Sequence, residues 1–237
     1  MPRALHGSRA EADNLSGGAV AGAAVGALAT TAVMQWVDAP GEWAAGAASV
    51  SVATTLMAGG LSLMDVPRKP SAQALSMQLA AVGGFGLAGL LAPRTPLRIT
   101  DYGTIGTLAA LGAWHGAFAA DAVSTETGHN REGGILTGTG VGMLAGYGLS
   151  QALHLDWGDN LEVAVNSIIG SAIGGGLGLM LDQDRIGTAR TLEIGGLTGL
   201  GIGLAVSRLT SFSRDDAALI GVSGLWGAWH GGWLADV

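Results

Sequence analysis

A Trp-His pair framed by glycines occurs twice in this sequence and is its most chemically suggestive feature. GAWHGAFAAD at 112–121 returns as GAWHGGWLAD at 227–236, which places His115 and His230 at equivalent positions. An ionisable residue inside an apolar segment is by default a candidate ligand, proton carrier or gate. If two related halves of the chain bring these imidazoles together, His115 and His230 form a functional pair. A bis-histidine metal or haem site is the boldest version of that hypothesis.

The plainer interpretation of the two histidines is architectural. Each imidazole would hydrogen-bond a carbonyl of a neighbouring helix, and the adjacent Trp would anchor the motif at an interface. Both residues would then recur because the whole unit is duplicated. We favour this interpretation and predict no catalytic residue, no metal and no cofactor.

Other chemical motifs are missing from the sequence. There is no cysteine, which excludes disulfides and thiolate sites. The glycine-rich stretches lack the Gly-Lys-Ser/Thr of a phosphate loop, and neither G-x-S-x-G nor HExxH occurs. Acidic residues concentrate in turns, so the chain is predicted not to be an enzyme. A net charge of −7 with scattered basic residues argues against nucleic acid as a partner.

Internal repetition divides the chain into two tandem halves. A shift of 116 residues lays the glycines at 17, 18, 22 and 26 on those at 133, 134, 138 and 142, and it lays GGLSLM (59–64) on GGLGLM (175–180). The predicted organisation is therefore a polar tail at 1–16, a first half at 17–121, a linker at 122–132 and a second half at 133–237.

Each half divides again into two predicted helical hairpins, which gives an all-α fold of eight helices in four tandem Gly-rich hairpins. Each hairpin opens with a Gly-Gly pair and ends in Asp. The segments without Asp, Glu, Lys or Arg are 17–36, 44–64, 71–92, 102–120, 133–153, 163–181, 194–207 and 217–235. Most have the roughly 20 residues that a bilayer requires. The exception, 194–207, is short and follows Glu193, so it is expected to be tilted, partly buried or not a spanning helix.

Glycine supplies 42 of the 237 residues, and its spacing predicts close helix contacts. Residues four apart share a helix face, so glycines at this spacing leave a smooth groove for a neighbouring helix. The predicted helix-packing glycines form three ladders and two single steps: Gly18, Gly22 and Gly26; Gly134, Gly138 and Gly142; Gly170, Gly174 and Gly178; Gly112 and Gly116; Gly227 and Gly231.

Composition and tryptophan placement point to a membrane. Charged residues make up only 12% of the chain and apolar residues 49%. Six tryptophans near segment ends are predicted to be interface anchors: Trp36, Trp43, Trp114, Trp157, Trp229 and Trp233. The distribution of Lys and Arg favours cytoplasmic N- and C-termini. The expected partners are the lipid bilayer and further copies of the chain or a larger membrane assembly.

The leading functional hypothesis is a non-enzymatic glycine-zipper repeat protein that packs in a membrane as a structural element or an oligomeric pore subunit. Two functional alternatives are a soluble helical-repeat scaffold or binding module, and a channel or transporter that uses the paired histidines. An eight-stranded membrane β-barrel is the structural alternative. It is disfavoured because the aromatic girdles and dyad patterning of such barrels are lacking.

Overall fold

Seven α-helices and no strands make up the residues described by the computed structural model, which are 41–64, 70–91, 94–123 and 130–234. The helices are α1 (Gly41–Leu63), α2 (Pro70–Leu91), α3 (Ile99–Val123), α4 (Asn130–Leu153), α5 (Trp157–Met180), α6 (Arg185–Val206) and α7 (Arg214–Leu234). The all-α class is therefore confirmed for this part of the chain, and the barrel alternative is disfavoured. The predicted segment 17–36 and the tail at 1–16 lie outside the described residues.

The described helices pack in a row. Helix α2 lies against α1, α1 against α4, and α4 against α3. Helix α3 then contacts both α6 and α5, which also pack against each other. Among the described helices, α7 has its main contact with the row at α5. The two ends of the row are therefore α2 and the α5–α7 side.

The structure pairs consecutive helices differently from the predicted hairpins. Those hairpins join α2 to α3, α4 to α5 and α6 to α7, whereas the closely packed pairs are α1–α2, α3–α4 and α5–α6. The pattern of Gly-Gly and Asp does not mark helix boundaries reliably, since Gly83-Gly84 lies inside α2 and Gly195-Gly196 lies inside α6. It does not state which neighbour a helix packs on, because both neighbours are equally near in sequence.

The short segment 194–207 belongs to a full helix of 22 residues, α6. That helix starts at Arg185, because the carboxylate of the N-cap residue Asp184 accepts a hydrogen bond from the backbone N–H of Gly187 at 2.7 Å. The boundary predicted at Glu193 is wrong, whereas the buried face of α6 agrees with the expectation that this segment is partly buried. Glu193 lies inside the helix rather than before it, where the charge was mistaken for a boundary.

Acidic side chains cap several helices. Asp156 is the N-cap of α5, and Asp159 completes a reciprocal capping box with it. Before the apolar segment 217–235, Asp216 accepts hydrogen bonds from the Ser213 hydroxyl and backbone N–H. These hydrogen bonds lower the pKa of Asp216 below its ordinary value of 3.8, and the bond from the Ser213 hydroxyl has the larger effect.

Helices α3 and α4 meet backbone to backbone. A Cβ atom on Gly112 would collide with the carbonyl oxygen of Gly138, and one on Gly116 would collide with that of Gly134. The reverse substitutions meet the same obstacle, since a Cβ on Gly138 would strike the carbonyl oxygen of Gly112. Any side chain at these positions would separate the two helices.

Replacing Gly138 with Ala should destabilise the fold by about 1–3 kcal/mol, because the added methyl group overpacks the contact with α3. The matched control is Gly148→Ala on the same helix, where a Cβ meets no atom within 4 Å. There alanine should stabilise by up to about 1 kcal/mol through its helix propensity. Unfolding monitored by circular dichroism measures both effects, and equal shifts for the two variants would contradict the packing argument.

Candidate functional site: a buried His-Glu-Ser network

Three helices contribute polar side chains to one buried network. Helix α3 supplies His115, α5 supplies Ser167, and α6 supplies Glu193. The closeness of α3 to α6 depends on Gly196, where a Cβ would meet both the hydroxyl oxygen of Ser171 and the imidazole of His115. Gly196 thus leaves the space that the imidazole occupies.

His115 is bonded through both ring nitrogens. Its Nδ1 lies 3.1 Å from Oε2 of Glu193, and its Nε2 lies 2.9 Å from Oγ of Ser167. Ser167 in turn donates its hydroxyl hydrogen to the carbonyl oxygen of Gly196 at 3.2 Å. Side chains on three helices are thereby joined through one imidazole.

The three hydrogen bonds of this network determine how many hydrogens its side chains must carry. Ser167 has one hydroxyl hydrogen, so when it donates to Gly196, Nε2 of His115 must donate to Ser167. The contact between Nδ1 and Glu193 then also needs a hydrogen, carried either by the imidazole or by the carboxyl group. With all three hydrogen bonds formed, the His115–Glu193 pair therefore shares one proton.

Ser167, His115 and Glu193 follow the nucleophile–base–acid order of a hydrolytic triad. Ser167, however, is fully buried in the middle of α5. A substrate has no access to its hydroxyl, whose hydrogen is already directed at a helix carbonyl. The arrangement is suited to holding helices together and to holding a proton, rather than to nucleophilic attack.

Trp114 adds a second link between α3 and α5. Its indole N–H donates to Oγ of Ser171 at 3.2 Å, and its ring packs edge-on against Phe118 with centroids 4.9 Å apart. Ser167 and Ser171 are four residues apart and so share the face of α5 that α3 covers. Trp114 is 41% exposed, so one side of the ring is open while the N–H is bonded inside.

A cavity of about 580 Å³ lies beside the His115–Glu193 pair. Its walls are mainly apolar and glycine-rich surfaces of α3, α4 and α6, including Gly112, Gly138 and Leu197. His115 and Glu193 are the ionisable groups among the residues that line it. Oε1 of Glu193 is buried and has no hydrogen-bond partner among the described residues, so this carboxylate retains an unused acceptor.

His230 occupies a different environment from its sequence copy. It is exposed on α7, and its ring lies 4.8 Å from that of Trp226 in an edge-on arrangement. His115 is bonded to Glu193 and Ser167 instead. The structure thus gives His115 a carboxylate partner in place of the second histidine that the sequence suggested.

The predicted packing glycines fall into three groups. Those of α3–α4 and α5–α6 lie where a Cβ would strike a neighbouring helix, and they are Gly112, Gly116, Gly134, Gly138, Gly142, Gly170, Gly174 and Gly178. Gly227 on α7 faces open space. Gly18, Gly22 and Gly26 lie outside the described residues, and the surroundings of Gly231 are not described.

The predicted tryptophan anchors differ in their surroundings. Trp157 is 62% exposed at the start of α5, whereas Trp43 is half-buried near the start of α1. Trp114 is held by Ser171 as described above. Trp36 lies outside the described residues, as do the side chains of Trp229 and Trp233.

Sequence reasoning did not single out Glu193, Ser167 and Ser171, which the structure joins to His115 and Trp114. Glu193 was assigned to a segment boundary, although the helical pattern runs through it from Arg185. The signal that would have found it is a lone acid within an otherwise apolar run, in a chain with a histidine in another apolar run. Glu162 was missed in the same way, and it is buried on α5 with its Oε2 accepting from Thr210 at 2.6 Å.

Comparison with known proteins found no family model, no curated protein and no solved structure that matches this chain.

Replacing His115 with Ala should lower the free energy of unfolding by about 3–5 kcal/mol, because it leaves the buried Glu193 carboxylate without its partner. Glu193→Gln should cost less, since its amide still offers a hydrogen bond to Nδ1. Chemical denaturation followed by circular dichroism compares the two variants. If His115→Ala costs no more than Glu193→Gln, the pair does not hold α3 to α6.

Proposed function

We propose that this chain is a non-enzymatic integral membrane protein whose glycine-faced helices pack in a bilayer as a structural element or an oligomeric pore subunit. The observation that carries the proposal is the distribution of polarity. Exposed faces of the described helices carry large apolar side chains, among them Leu79, Val82, Leu90, Leu219, Val222 and Leu225. Polar side chains such as Asp101, Asn160, Glu162 and Glu193 are buried.

This distribution suits a lipid environment. Contiguous exposed apolar patches are unusual on a soluble monomer. In a bilayer, ionisable and polar residues turn inward and pair with one another. Two described helices, spanning Trp43–Leu63 and Trp157–Met180, are long and apolar enough to cross a membrane.

Backbone contact through glycine supports the same proposal. Lipid tails are as apolar as leucine, so helices in a bilayer associate through close van der Waals packing and interhelical hydrogen bonds. The α3–α4 contact supplies the first, and the His115–Glu193 pair supplies the second. A water-exposed helix would lose about 1 kcal/mol for each such glycine relative to alanine.

The proposal includes eight helices in two related halves. The ladder Gly18, Gly22 and Gly26 repeats that of α4, so the eighth helix is placed at 17–36, outside the described residues. In this proposal the hairpins are the consecutive helices that pack closely, namely α1–α2, α3–α4 and α5–α6, and not the pairs predicted from the Gly-Gly spacing. The links within these hairpins follow Asp65, Asp121 and Asp182. The N- and C-termini are proposed to face the cytoplasm, as the Lys and Arg distribution favours.

Membrane fractionation tests this proposal directly. The protein should sediment with membranes, resist extraction by alkaline carbonate, and enter solution only with detergent, because apolar side chains cover its helices. A peripheral membrane protein in the same preparation is the control for carbonate extraction. Monodisperse helical protein released without detergent would contradict membrane insertion and favour the soluble scaffold.

A second candidate function is proton-coupled transport or conduction through the His115–Glu193 pair. The specific observation in its favour is the unused acceptor of Glu193 beside an apolar cavity, next to a proton-sharing imidazole. An exchangeable proton and a free lone pair in one place are what a relay requires. This version replaces a His115–His230 pair with a histidine–glutamate pair.

Proton flux into liposomes tests this second candidate. His115→Ala and Glu193→Gln should each reduce dye-reported proton entry several-fold, because each removes a group that carries the shared proton. His154→Asn is the matched control: His154 is exposed between α4 and α5 and adopts a positive φ that Asn tolerates. Unchanged flux in properly assembled His115→Ala protein would eliminate the relay.

A further inference from the structure

Helix α7 repeats the sequence of α3 but does not share its packing. The two copies of the Trp-His motif align with a shift of 115 residues, which sets His230 on His115, Trp229 on Trp114 and Trp226 on Leu111. Leu111 is 6% exposed in a core cluster with Val163, whereas Trp226 is 67% exposed. Helix α3 is thus seated on α5–α6, while its copy is largely without a partner among the described helices.

The groove that receives α3 is repeated elsewhere in the chain. Ser167 on α5 donates to the carbonyl oxygen of Gly196 on α6 at 3.2 Å, and Ser51 on α1 donates to that of Ala81 on α2 at 3.0 Å. These residues correspond through shifts of 116 for α1 and α5, and 115 for α2 and α6. Helices α1 and α2 therefore cross in the same register as α5 and α6.

A pair of glycines confirms this register independently. A Cβ on Gly199 of α6 would lie 3.2 Å from Cα of Ser167, and one on Gly84 of α2 would lie 3.2 Å from Cα of Ser51. Gly84 and Gly199 are also 115 residues apart. The α1–α2 pair is thus a second copy of the surface on which α3 lies.

The residues that bind α3 have counterparts of the same chemical kind on α1–α2. The register sets Gln78 in the place of Glu193, Ser51 in that of Ser167, and Thr55 in that of Ser171. Gln78 is exposed, whereas Glu193 is buried beneath α3. An amide can bond an imidazole nitrogen as a carboxyl group does, so His230 would find matching partners there.

We propose that α7 of one copy of this protein docks on the α1–α2 groove of a second copy, as α3 docks on α5–α6 within the chain. A second copy is the occupant because α7 touches the row at α5, whereas α2 forms the opposite end. Such a head-to-tail contact is heterologous, so it continues from copy to copy and closes into a ring when the rotation allows. The proposal rests on the two-half repeat of the proposed function and specifies how its oligomer forms.

Cross-linking of single-cysteine variants tests the docking, since the chain has no native cysteine. Gln78→Cys and His230→Cys proteins carrying different tags are co-expressed in membranes and treated with a short thiol-reactive cross-linker. A heterodimer, several-fold more abundant than the dimers from either variant alone, is expected. Asp121→Cys with Arg185→Cys in one chain is the positive control, because that exposed ion pair joins α3 to α6 at 2.7 Å.

Two results would overturn the proposal. One is a cross-link within a single chain carrying both Gln78→Cys and His230→Cys, with no heterodimer from the mixture; the groove would then be filled by the chain's own α7. The other is no cross-link in either arrangement while the control pair reacts. Carbonate extraction of each variant, run in parallel, shows whether the protein is still in the membrane and so separates this failure from failure of the proposed function.

A steric variant gives a second measurement. Gln78→Trp places a bulky ring in the groove and should shift the detergent-solubilised protein to a smaller assembly by light scattering. Leu87→Trp on the same helix is the matched control, because its counterpart Ile202 stays 50% exposed with α3 in place. Equal oligomer sizes for the Gln78→Trp variant, the Leu87→Trp variant and the parent protein would contradict docking at this groove.

Discussion

Direct backbone contact between α3 and α4 is the constraint on which the packing of the described helices depends. At Gly112, Gly116, Gly134 and Gly138 the two backbones approach until even one methyl group would collide with a carbonyl oxygen of the facing helix. Helices α5 and α6 meet in the same way at Gly170 and Gly195. Because glycine offers no side chain to interlock, each contact consists of backbone surfaces in van der Waals contact over several turns. This packing needs no exclusion of water, and it is therefore available inside a bilayer.

Close approach also explains why short polar side chains can connect the helices. A serine hydroxyl reaches only a neighbouring carbonyl or ring, yet Ser167 and Ser171 both bond across helices. Gly196 removes the one atom that would keep the imidazole of His115 out of this space. The polar network therefore depends on the glycine surfaces, because their close contact lets these short side chains reach a neighbouring helix. The His115–Glu193 pair of this network lies beside the apolar cavity, where an unpaired charge would be costly.

Much of the helical layout follows from the sequence, whereas the pairing of helices does not. Segments 44–64, 71–92, 102–120 and 133–153 each fall within a few residues of an observed helix, because charges and prolines interrupt apolar runs where helices end. The same rule failed at Glu193 and Glu162, since a buried acid with a partner can sit inside a helix. The sequence pattern also assigned each helix to the wrong sequential neighbour as its hairpin partner. The reason is that residues at a link do not indicate which helix surface the following helix will pack on.

For the described residues, the sequence by itself determined the all-α class, the approximate bounds of most helices, and the glycines of α3–α4 and α5–α6 at which a Cβ would strike a neighbouring helix. All three follow from local physics, namely periodicity, helix capping and the steric cost of a Cβ. Only the tertiary structure decided that His115 pairs with Glu193 rather than with His230. Partners 78 residues apart meet because α3 crosses α5 and α6 at one particular register, and no local preference encodes that register. The two equivalent histidines therefore occupy different environments, His115 largely buried against α5–α6 and His230 exposed on α7, since a helix acquires its partners from the surface it covers.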